Sequence, residues 1–152
     1  MFDPIVLATA YRLNGSIFQA SAKKLARGLK LREDGLPAKY DAVPLYYLAS
    51  QAAELYLKAG LLKREISEES LKKFDYRHNL EKLLYELQNK GVKVTPQTVN
   101  IVIGLSKQHK NHTLRYNSMV ELKEKLYWPP LTAVFEALDE LMLLTRILTQ
   151  GI

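Results

Sequence analysis

The sequence predicts an all-α protein, an antiparallel up-and-down bundle of four long helices plus short helices. Apolar residues recur at steps of three and four in every long periodic segment, and no segment alternates with the period of two typical of a half-buried strand. Residues 45–62 are apolar around most of a helical circumference. A chain of 152 residues with 47% apolar content buries roughly two-thirds of its unfolded surface in one domain, so we predict a single domain over residues 1–152.

Residues 45–62 form the central helix of this prediction. Their inward stripe is Leu45, Leu48, Ala52, Leu55, Ala59 and Leu62, and flanking apolar residues widen it to an arc of roughly 220°. Such a width indicates burial on several sides. Residues 31–44 contain a glycine and two prolines and have no periodicity, so we expect a loop before this helix.

Glu54 lies on this largely apolar helix, where an ionised carboxylate requires a partner. Lys58, one turn away, is the local candidate. Arg115 is the favoured candidate, because a guanidinium grips a carboxylate with two parallel hydrogen bonds. The alternative is a water-filled groove beside Lys58.

The other helices are predicted from their caps and periodicity. Asp3 and Pro4 begin the first, Gly91 ends the third long one, and Thr95 and Pro96 begin the next. The predicted segments are residues 4 to about 29, 67 to about 74, about 79 to 90, 96 to about 111, 118 to about 127, and 131 to nearly the C-terminus.

Composition limits the classes of function. A net charge of +6 favours polyanionic partners. The absence of cysteine excludes disulfides and thiolate chemistry. No apolar run approaches the ~20 residues that a membrane span requires, and the N-terminus does not resemble a signal peptide. We therefore expect a soluble cytoplasmic protein without membrane contact.

Chemistry-bearing residues concentrate between Lys107 and Tyr116. Phosphate-binding glycine loops and a nucleophile elbow are both lacking. His109 and His112 are three residues apart, but no further ligand lies near them in sequence, so neither a metal site nor a cofactor is expected. The segment is interpreted as a polar turn between helices or as an anion or RNA site.

Three stretches, YLASQAAELYLKAGLL, RHNLEKLLYEL and LSKQHKNHTLRYN, together resemble the HEPN domain (higher eukaryotes and prokaryotes nucleotide-binding). The resemblance covers roughly residues 5–150. It implies a helical bundle, frequent homodimerisation and, in active members, a metal-independent endoribonuclease with an Arg-x(4–6)-His motif. The nearest match has Lys107 in place of the arginine, followed by His112, and Arg115 lies on the wrong side of that histidine.

Three functions follow from this departure. The favoured one is a HEPN-like RNA- or nucleotide-binding or protein-interaction module with a degenerate catalytic motif, in a toxin–antitoxin or defence system. The alternatives are an endoribonuclease in which Lys107 and His112 are catalytic, and a structural partner of a nucleotidyltransferase. An antitoxin is a further expected partner, and apolar faces after Ser118 and Leu131 favour a homodimer. The candidate RNA- or nucleotide-binding residues are His109, Lys110, Arg115, Tyr116, Glu54 and His78.

Overall fold

A computed structural model describes residues 3–31, 33, 39–73, 76–110 and 128–150. These ranges contain six helices and no strand, which confirms the all-α prediction. The helices are α1 (Pro4–Arg27), α2 (Lys39–Leu62), α3 (Glu68–Leu71), α4 (Leu80–Asn89), α5 (Pro96–Lys110) and α6 (Leu131–Gln150). The helix predicted for residues 118–127 lies outside the described residues.

Helix α2 is the centre of the protein, as its wide apolar arc predicts. It packs against α1, α4, α5 and α6, and Leu45, Tyr56 and Leu57 have no exposed surface. At its N-terminal half, the Tyr46 hydroxyl donates a hydrogen bond to the Pro129 carbonyl, just before α6. Because four helices cover α2, a charged side chain on its inner faces requires partners within the protein.

The loop predicted for residues 31–44 is wrong over its last six residues, because α2 begins at Lys39. Pro44 lies inside the helix, where it removes one backbone donor. Ala42 and Leu45, one turn apart, are both buried. Their burial against the core offsets the missing hydrogen bond. The periodicity of the sequence does not show which of these two effects is larger.

Helix ends follow the capping residues of the sequence. The side chains of Asp3, Ser67 and Asn79 each accept a hydrogen bond from a backbone N–H in the first turn of α1, α3 and α4. Gly91, just after α4, has φ +93°, a left-handed conformation that glycine adopts without a steric penalty. α1 ends at Arg27 and α3 at Leu71, two and three residues earlier than predicted. The Asn79 cap sets where α4 begins, two residues after His78.

Within the described residues, none of the helices combines the length and the apolar character needed to cross a bilayer.

Candidate functional site

Glu54 accepts hydrogen bonds from three side chains in the middle of α2. Lys58 Nζ lies 2.8 Å from Oε2, while His78 Nδ1 and His109 Nε2 lie 3.0 and 2.8 Å from Oε1. An ionised carboxylate is only an acceptor, so both ring nitrogens carry a proton and donate it to Oε1. We call Glu54, Lys58, His78 and His109 the Glu54 cluster.

Three separate elements supply the members of the Glu54 cluster. Lys58 follows Glu54 by one turn of α2, in the acid-first order that favours an i,i+4 pair. His109 lies in the last turn of α5. His78 lies in the turn before α4 and has φ +58°, a left-handed backbone for which histidine is enriched among non-glycine residues. The site is therefore assembled by the packing of α4 and α5 on α2.

The two imidazole rings beside Glu54 pack edge to face. Their centroids are 5.2 Å apart and their planes meet at 88°, and the Tyr47 ring lies 6.4 Å from that of His109. The side chains of Glu54 and His109 are 5% and 2% exposed, whereas that of His78 is 16% exposed. The cluster is thus closed around Glu54 and reaches solvent on the side of His78.

The surroundings of Glu54 keep it ionised. Burial pushes the pKa of Glu54 upward, but the hydrogen bonds from His109 and His78 and the charge of Lys58 outweigh burial and hold the pKa well below its usual range. A buried carboxylate with a nearby cation is electrically balanced. The cluster therefore presents an anionic oxygen between two imidazole nitrogens.

The prediction that Glu54 is paired is confirmed, and Lys58 is one of its partners. Arg115, the favoured partner, lies outside the described residues. The sequence does not indicate that His78 and His109 are partners of Glu54, because 24 and 55 residues separate them from it in the chain. The local signal for the cluster is that α2, α5 and the turn before α4 each place a polar side chain among packed residues.

The other candidate site residues extend from the same end of α5. Lys107 is exposed, two residues before His109. Lys110 is the last residue of α5, and its side chain lies outside the description, as do His112, Arg115 and Tyr116. The structure therefore brings together Glu54, His78 and His109, and the proposed pair of Lys107 and His112 stays a prediction.

The Glu54 cluster suits two kinds of chemistry. A carboxylate that accepts an N–H from a histidine fixes the orientation and tautomer of the ring. A carboxylate oxygen and two imidazole nitrogens are also a common ligand set for divalent transition metals. The hydrogen bonds would position the end of α5, whereas metal ligation would make the cluster a metal-binding site.

A comparison of the chain with protein-family models, curated proteins and solved structures finds no match.

Proposed function

We propose that the chain is a HEPN-like antiparallel bundle that binds RNA or a nucleotide through its phosphates at the C-terminal end of α5. The observation that supports this most is the anchoring of His109 to Glu54, 2.8 Å apart in the buried core. This contact ties the last turn of α5 to the central helix. It thereby fixes the point at which the basic segment Lys107–Tyr116 begins.

Charge supports a phosphate-bearing ligand at this place. Lys107 is exposed on α5, and Lys110 and Arg115 follow it in the sequence. The chain as a whole carries a net charge of +6. Lysine and arginine contacts to phosphates supply most of the sequence-independent affinity for nucleic acids, so RNA of any sequence is the expected ligand class.

The proposal gives the buried and the exposed residues different roles. Glu54 and His109 have almost no exposed surface, so their part is to hold α5 in place. Lys107 makes the contact with phosphate. A lysine is a point charge and does not grip two phosphate oxygens as an arginine fork does, so we propose binding without efficient cleavage.

Fluorescence anisotropy of a labelled single-stranded RNA tests this function. Lys107→Gln should weaken binding on the order of 3- to 10-fold, because one phosphate contact is lost. Lys93→Gln is the matched control, since it removes the same charge from an exposed position before the other end of α5, about 20 Å away. RNA that does not bind, or an equal loss in both variants, would refute the proposal.

The same samples distinguish the nuclease alternative. The RNA should stay intact in the presence of a metal chelator, as judged on a denaturing gel. Cleavage that His112→Ala and Lys107→Gln both remove would instead establish a metal-independent ribonuclease. If RNA is neither bound nor cut, the structural role beside a nucleotidyltransferase or antitoxin becomes the better account.

A further inference from the structure

We propose that Glu54, His78 and His109 form a binding site for one divalent transition metal ion of the zinc class. The ligand atoms are Glu54 Oε1, His78 Nδ1 and His109 Nε2, contributed by α2, the turn before α4, and α5. This site shares Glu54 and His109 with the anchor of α5, but metal binding does not require that RNA binds at Lys107.

The three ligand atoms are already spaced for one ion. All of them lie within 4.8 Å of one another, and the two nitrogens lie 3.0 and 2.8 Å from Oε1. Zinc binds such atoms at about 2.0–2.2 Å, which puts two ligands of one tetrahedral ion about 3.3 Å apart. Each nitrogen therefore needs to move away from Oε1 by only a few tenths of an ångström, while the two nitrogens, which lie within 4.8 Å of each other, settle at a similar spacing.

Metal binding at this site requires a change of tautomer in both rings. The ion takes the place of the two hydrogens that the rings direct at Oε1, and a neutral imidazole that binds it carries its single proton on the other nitrogen instead. Three protein ligands leave a fourth position on a tetrahedral ion, the arrangement typical of zinc sites that hold water or a substrate.

Lys58 acts on this site by orienting the Glu54 carboxylate. Its ammonium group holds Oε2 at 2.8 Å and so leaves Oε1 directed at the two histidines. Its positive charge also repels a cation close to the carboxylate. The affinity should therefore be lower than that of closed structural zinc sites, and loading will depend on the supply of metal.

Cobalt(II) is a direct probe, because its visible ligand-field absorption reports nitrogen and oxygen coordination. The full chain is first treated with a chelator and dialysed, and Co²⁺ is then titrated. We expect the absorption to saturate at one ion per chain and to be lost when Zn²⁺ is added. No absorption band after several equivalents of Co²⁺ would refute the site.

The variant His78→Asn removes one ligand with little risk to the fold. Asparagine tolerates the left-handed backbone found at residue 78, and the position is partly exposed. We expect an unchanged circular dichroism spectrum, no Co²⁺ band, and binding weaker by more than about 100-fold, a larger loss than that of a residue that only orients a ligand. Glu81→Gln, which removes an exposed carboxylate from α4, should bind Co²⁺ as the wild type does.

Nitrogen NMR of the wild type gives a readout that needs no variant. On addition of Zn²⁺, the ¹⁵N resonances of His78 Nδ1 and His109 Nε2 should shift together and saturate at one equivalent. Unshifted resonances, or an unchanged Co²⁺ affinity in His78→Asn, would mean that any bound metal lies elsewhere and that hydrogen bonds alone explain the cluster.

Discussion

Glu54 occupies a position that an unpaired carboxylate could not. Its side chain is 5% exposed, and removing an ion from water costs several kcal/mol unless partners compensate. Lys58 supplies the opposite charge, and the two histidines satisfy Oε1. The same contacts that compensate the burial of this carboxylate also connect α2 to α5 and to the turn before α4.

Glu54→Gln should lower the free energy of unfolding by about 3 kcal/mol at pH 7, because it leaves the ammonium group of Lys58 without its counter-ion in the core. Chemical denaturation monitored by circular dichroism measures this. Glu68→Gln is the matched control. It removes a glutamate from another i,i+4 pair, with Lys72, in which the lysine is exposed and the glutamate partly exposed, and it should leave the stability nearly unchanged. Equal losses in the two variants would contradict the buried pair.

The difference in free energy of unfolding between the wild type and Glu54→Gln should depend on pH, and the direction of the Glu54 pKa shift gives the sign. The pKa of Glu54 in the folded chain lies below the usual glutamate value of 4.5. The carboxylate therefore contributes its full stability above pH 4.5, and this contribution decreases as the pH falls below that value. Wild type and Glu54→Gln should converge in stability towards low pH. A difference in stability between the two proteins that stays constant from pH 7 to pH 3 would contradict the lowered pKa of Glu54.

At the scale of single residues, the sequence could predict that Glu54 needs a partner but not which partners it has. An apolar arc around a glutamate is visible in the periodicity, and Lys58 is within one turn. His78 and His109 meet Glu54 only because α4 and α5 pack on the same face of α2, and no local spacing encodes that meeting. His109 also looked like part of a polar corner, whereas the structure buries it.

At the scale of helices, the contact between α1 and α2 depends on one glycine. A β-carbon at Gly15 would lie 2.8 Å from Cε1 of Tyr56, closer than such atoms approach. The Tyr56 ring cannot easily move, because it is fully buried and its hydroxyl donates a hydrogen bond to Gln19 Oε1 at 2.6 Å. Gly15 therefore allows α1 to approach the central helix at this point.

Gly15→Ala should lower the free energy of unfolding by about 1 kcal/mol. Overpacking costs typically 1–3 kcal/mol, whereas the higher helix propensity of alanine stabilises the helix by about 1 kcal/mol. The control is Gly28→Ala, where the added carbon would lie 3.8 Å from its nearest neighbour and the backbone has φ −88°. That variant should be as stable as the wild type or slightly more stable, by thermal denaturation. A stabilised Gly15→Ala would contradict the close contact.

Helix positions were predictable wherever periodicity and caps agreed. Asp3, Thr95 and Gly91 mark helix ends in both the sequence and the structure, because their roles depend on backbone groups within a few residues. The start of α2 was not predictable in this way. The proline at residue 44 argues for a loop, and only the burial of Ala42 in the assembled core shows why the helix continues past it.

At the scale of the whole molecule, we expect a homodimer, as the HEPN resemblance implies. α1 exposes about half or more of Val6, Leu13 and Ile17, which fall on one stripe of the helix, and an apolar stripe of this kind is costly to leave in water. Sedimentation velocity at micromolar concentration should show a species of twice the chain mass. A monomer across that range would contradict the expectation.

The central claim is that phosphates bind at the end of α5 that the Glu54 cluster anchors, and the salt dependence of RNA affinity tests it most directly. Each neutralised phosphate of a single strand contributes a slope of about −0.7 to the plot of log affinity against log salt concentration. Lys107→Gln should make this slope shallower by about 0.7, whereas Lys93→Gln should leave it as in the wild type. Equal slopes for Lys107→Gln and the wild type would contradict the account.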